Sequence, residues 1–179
     1  MHSLLALSRL LALPCRLFAR AAGLLLLVLT AVIIYDVIGR RFFATGSFKL
    51  QELEWHLHGA IAVLAFGHAY LRDAHVRIDI FAARIPPRGR LWLELAAVVL
   101  FLIPFMALLA WYGYDFAERS FLRNETSSGG VGLSNRWIIK SAIPVSAVLT
   151  ILGGLAVALR LVVALFAPHL RPDPFERPS

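Results

Sequence analysis

Glu52, Glu54, His56 and His58 form a compact cluster of metal-ligating and proton-transferring side chains. On a helix Glu52 faces His56 and Glu54 faces His58, because residues four apart share a face. Two carboxylates and two imidazoles so placed could hold a metal ion or relay a proton. They could equally be carboxylates at a helix N-terminus, where the dipole favours negative charge, paired with imidazoles at a water interface. The H-E-x-x-H spacing of zinc helices is absent. The single cysteine, Cys15, allows neither an intrachain disulfide nor a cysteine-rich metal site.

Other chemistries find less support. Haem axial ligands normally come from facing helices. Here His56, His58 and His68 share one segment, His75 follows it, and His2 and His169 lie in the terminal segments. No nucleophile–base pairing and no phosphate-binding loop is visible, so no catalytic residue and no cofactor is expected. The central stretches Leu24–Thr30, Gly59–Ala65, Val98–Pro104 and Val148–Leu155 carry no ionisable group. Intramembrane charges are where transported ions and substrates bind, so the chain reads as an accessory or scaffold subunit.

The cluster must be positioned by a helix. From Glu52 to Leu71, at about 1.5 Å per residue, the rise is about 30 Å, the thickness of a bilayer's hydrocarbon core. Gly59, Ala62, Ala65 and Ala69 are spaced three, three and four apart and share one side of that helix. Such a small-residue stripe lets a neighbouring helix approach closely where lipid supplies no hydrophobic drive. With 59% hydrophobic residues, 16% charged and a mean hydropathy of +0.74, the chain is an all-α integral membrane protein. The composition predicts four transmembrane helices, at about 21–38, 52–71, 91–111 and 137–159, within a membrane domain over 21–167. Residues 1–20 form an amphipathic segment with Arg9, Arg16 and Arg20 on one face, expected to lie in the membrane interface and to bend at Pro14. Pro104 is expected to kink the third span. Residues 168–179 are proline-rich and expected to be a disordered tail.

The formal charge of +7 does not indicate nucleic acid, because the arginines sit at the ends of apolar runs without a basic stripe. Four spans put both termini on one side. That side, with the 72–90 connection, carries eleven Lys and Arg against seven on the other. The positive-inside bias therefore places both termini in the cytoplasm. Asp36 lies within a turn of Arg40 and Arg41, which predicts a local ion pair. Lys140 is expected to pair with an acid of the 114–136 loop.

DVIGRRFF at 36–43, ELE at 52–54, FGHAYLRDAHVRIDIF at 66–81 and RIPPRGRLWLEL at 84–95 occur in an order that resembles the small permease subunit of TRAP (tripartite ATP-independent periplasmic) transporters, the DctQ-like family. The loop NETSSGGVGLSNRWIIKSAIP at 124–144 is similar to that of the branch of mannitol, chloroaromatic and related organic-acid systems. The resemblance covers roughly residues 20–165. It implies an inner-membrane scaffold for a large permease subunit, which would bind substrate and sodium, and a periplasmic solute-binding protein that captures the substrate. Gly59, Ala62, Ala65 and Ala69 would then pack against the partner subunit. Arg40, Arg41, Glu52, Glu54 and Lys140 would lie on the periplasmic side, and Arg72, His75, Arg77 and Asp79 at the cytoplasmic edge. The competing reading, from the four spans and histidines alone, is a membrane anchor for a redox enzyme.

Overall fold

The computed structural model describes residues 1–75, 85–127, 132–170 and 173–176, and among these every regular element is helical. Among the described residues three stretches are long and apolar enough to cross a bilayer: His2–Phe43, Pro87–Leu122 and Trp137–Phe166. Helix α1 (His2–Phe43) covers in one unbroken helix the residues expected to form a separate amphipathic segment and a first span. Pro14 removes one backbone donor, but the surrounding Leu and Ala are strong helix formers and carry the helix through it. Ser8, Cys15, Ala22, Leu29 and Asp36, each seven residues after the last, are all buried. Ala12 adds to this seam, whereas the leucines between mostly face outwards. A buried residue every two turns is the pattern of a helix packed lengthwise against others.

The stretch expected as one helix over 52–71 is two. Helix α2 (Phe48–Leu64) ends at Ala65, and α3 (Phe66–Leu71) follows at once. At the interruption the Val63 carbonyl, whose α-helical partner would be the Gly67 N–H, accepts the hydroxyl of Ser146, 83 residues on. Helix α4 (Pro87–Ala97) runs through a π-helical turn, Val98–Leu102, into α5 (Ile103–Leu122). The predicted distortion at Pro104 takes this form. The proline has no N–H for the Leu100 carbonyl and its ring would clash there, and a wider turn relieves both. Helix α6 (Trp137–Phe166) contains Pro144, and a 3-10 turn, Pro168–Leu170, follows it.

The chain divides into two compact units. The first comprises Met1–Leu17, Phe66–Leu108 and Ala147–Ser179. Here glycines set the helix spacing. A Cβ on Gly67 would lie 2.7 Å from the Leu149 carbonyl oxygen, and one on Gly153 2.8 Å from the Gly67 oxygen, so α3 and α6 meet backbone to backbone. Cys15 is fully buried, and its Sγ–H donates to the Leu149 carbonyl at 3.1 Å. The second unit comprises Phe18–Ala65 and Leu109–Ser146. There α5 meets α6 at Gly113, whose Cβ would sit 3.2 Å from Pro144 Cδ, and Phe121 packs edge-on against Trp137 at 5.4 Å.

Helices α3 and α5 end in left-handed residues, Asp73 and Asn124. Beside them the Ala74 N–H returns to the Ala69 carbonyl and the Glu125 N–H to the Ser120 carbonyl. These bonds satisfy carbonyls that a helix C-terminus otherwise leaves open.

Candidate functional site

The polar end of the second unit is built where α2 and α6 begin and α5 ends. Glu52, in the first turns of α2, is buried, and its carboxylate accepts the Leu133 N–H at 2.6 Å. Gly132 lies against the same carboxylate, in a space that admits no Cβ. Lys140, one turn into α6, pairs with Glu125 of the preceding loop, and its ammonium lies 4.0 Å from the Phe116 ring centroid. The Lys140 and Ser120 hydrogen bonds hold the Glu125 carboxyl below the ordinary carboxylate range. The backbone closes the loop, with the Ser127 N–H donating to the Leu133 carbonyl and the Arg136 N–H to the Glu125 carbonyl.

The four residues that suggested a metal or proton site diverge. Glu52 turns to the 133 loop, His56 lines a groove between helices, His58 is exposed, and one Glu54 oxygen is buried with no hydrogen-bond partner among the described residues. Among the described residues no three His, Cys, Asp or Glu side chains converge in a metal-holding arrangement. Asp36 bonds Arg40 one turn on and is fully buried, while Arg41 is exposed. Of the small-residue stripe, Gly59 has open space where a Cβ would be, Ala62 is exposed and Ala65 is the residue at the helix break.

In the first unit Ala69 is half-buried and Arg72 exposed. His75 stands edge-on to Phe66 at 6.1 Å and tilted to Tyr70 at 6.4 Å. Arg77 and Asp79 lie outside the described residues. The Tyr70 hydroxyl hydrogen-bonds Glu94 at 3.0 Å. Residues 173–176 depart from the expected disordered tail. Phe175 is buried and packs edge-on against Tyr70 at 6.0 Å, and the Glu176 N–H donates to the Leu71 carbonyl at 2.7 Å. The Glu176 carboxylate takes Arg16 and, at 2.7 Å, the buried Arg160, whose Nε also donates to Ser8 Oγ at 3.2 Å. Burial alone would raise the Glu176 pKa, but its two arginines outweigh that and hold it below the usual range.

Sequence reasoning missed this clasp. Arg160, a charge placed late in an apolar run, was the available signal, since a buried charge requires a partner. Nothing in the tail marked Glu176 as that partner.

The model of the family described as "Tripartite ATP-independent periplasmic transporters, DctQ component" matches residues 29–164. No curated protein matches the chain.

Proposed function

Because the chain belongs to the DctQ family, the small membrane component of tripartite ATP-independent periplasmic transporters, we propose that it is the stationary scaffold on which a large permease subunit moves its substrate. The observation that supports this reading is the use made of the buried charges. Asp36 is held by Arg40, Glu52 accepts the Leu133 N–H, and Arg160 is held by Glu176 and Ser8. A substrate site needs polar groups left available in the membrane; each of these three has a partner within the chain, and buried carboxylate oxygens without one among the described residues, on Asp36 and Glu54, lie within about two turns of a helix end.

In this proposal α2 and α3 together make a fourth, broken span, and both termini face the cytoplasm. The exposed part of the small-residue stripe, Gly59 and Ala62, with Ala65 and Ala69, receives a helix of the large subunit. Arg40, Arg41, Glu52, Glu54 and Lys140 lie at the periplasmic end, where a solute-binding protein docks. Arg72 and His75, with Arg77 and Asp79, mark the cytoplasmic edge. The family likeness favours sodium-coupled uptake, and the loop sequence over 124–144 favours the branch of mannitol, chloroaromatic and related organic-acid systems.

Replacing Ala62 by Leu tests the packing. The residue is exposed, so the chain itself should fold normally. Co-purification with the large subunit should fall at least fivefold, and unchanged complex yield with unchanged uptake would refute the contact.

A further inference from the structure

Residues 173–176 are held against the first unit in the manner of a bound peptide. The Asp173 carboxylate accepts the Phe175 N–H at 3.1 Å and so turns the segment. Pro174 fixes one backbone angle between them. The Phe175 ring is buried edge-on to Tyr70, and the Glu176 N–H meets the Leu71 carbonyl. The Glu176 carboxylate lies along the fork of Arg16, with Nε 3.0 Å from Oε2 and Nη2 on Oε1. Oε1 also takes Arg160 Nη2 at 2.7 Å. Ring, backbone donor and carboxylate of two consecutive residues are thus each met by a different group of the protein.

We propose that α1, α3 and α6 carry a docking site for peptide segments of the pattern D-x-F-E, and that residues 173–176 are its tethered ligand, exchangeable for the same sequence on a separate molecule. The Leu71 carbonyl decides the class of ligand. An inorganic phosphate or a lipid phosphodiester could neutralise Arg16 and Arg160, but neither brings an N–H for that carbonyl or a ring for the place beside Tyr70. A peptide supplies all three from adjacent residues. Two features make the segment exchangeable. Arg160 is also oriented by Ser8 Oγ, so part of the site is shaped without the tail, which lowers the cost of binding. The Arg16 and Glu176 side chains are 36% and 20% exposed, so the segment can leave without parting the helices.

The test uses the full-length complex purified in non-ionic detergent and a fluorescein-labelled peptide of residues 171–179, RPDPFERPS. In a chain carrying both Phe175→Ala and Glu176→Ala the site is emptied. Peptide anisotropy should then saturate, with its midpoint at or below about 1 mM, the effective concentration of a short tether against which the resident tail stays docked. The wild-type chain should bind several-fold more weakly, because its own tail competes. A peptide with Glu176→Gln should bind about tenfold more weakly, having lost its charge-assisted bonds. The unmodified peptide should also raise the Tm of the emptied chain saturably. Glu176→Gln in the full chain serves if the double variant is not recovered, and should bind the peptide more tightly than wild type does. Absence of saturable binding would overturn the proposal, as would equal binding of the Gln peptide or equal binding by wild-type and emptied chains. Displacement of the peptide by inorganic phosphate at equal concentration would reduce the site to an anion site and overturn it too. Crosslinking of the tail to a differently tagged copy of the chain would overturn the assignment of the tail to its own site.

Discussion

Lys140 neutralises Glu125 while its ammonium rests on the Phe116 ring, so one side chain ties the 114–136 loop to the start of α6. The folded-state pKa of Glu125 is lowered from 4.5. The pair therefore stabilises fully above that ordinary value, and its contribution is lost as pH falls through the lowered one. In detergent melts Tm should drop on acidification below about pH 4.5, with a shallower drop in Glu125→Gln. Glu176→Gln should cost more, about 1–3 kcal/mol, because it removes the anion from a buried Arg160. The value belongs near the lower end, since Arg16 and Glu176 are partly exposed and screened. A chemical-denaturation midpoint no lower than wild type would show that Arg160 does not need this partner. Asp36 with Arg40 and Lys140 with the loop acid were legible in sequence, because their partners are local. Glu176 lies 160 residues from Arg16, and no spacing rule reaches that far.

Helices are held here by what their side chains lack. In water a buried seam is found by its leucines. In this chain the buried residues of α1 are mostly small or polar, and its leucines face outwards, where lipid is as good a solvent as protein. This is why the existence of long apolar helices could be read from hydropathy, while the Ser8 to Asp36 seam and the break at Ala65 could not. Both depend on distant partners, the second on a serine of α6. Two glycines of one segment should accordingly behave oppositely. Gly59→Ala meets nothing within 4 Å, so it should leave the chain unchanged or about 0.5–1 kcal/mol more stable through helix propensity. Gly67→Ala drives a methyl into the Leu149 backbone and should cost about 1–3 kcal/mol. Equal melting of the two variants would mean that α3 and α6 do not meet so closely.

For the whole molecule, the crossing number decides the topology. Three spans would put the termini on opposite sides of the membrane and four would put them on the same side. The native Cys15 is buried, so cysteines introduced one at a time at His2 and His169 can be labelled against a low background. Both should be shielded from a membrane-impermeant maleimide in intact cells and labelled after permeabilisation. Labelling of His169→Cys in intact cells while His2→Cys stays shielded would reject the fourth crossing. Family and helical class were legible because ordered motifs and apolar run lengths are properties of sequence. The stretch expected to cross at 52–71 is split in the structure into pieces of 17 and 6 residues, each short for a bilayer by itself.

The carboxylate that fastens Arg16 is translated 160 residues after it. At about 5–20 residues per second, the first helix waits roughly 8–30 s for its anchor after leaving the ribosome. Arg160 waits only 16 residues, about 1–3 s, for the same carboxylate. The molecule is thus sewn shut from its far end, and any nascent intermediate lacking the last stitch should be the form most open to membrane proteases.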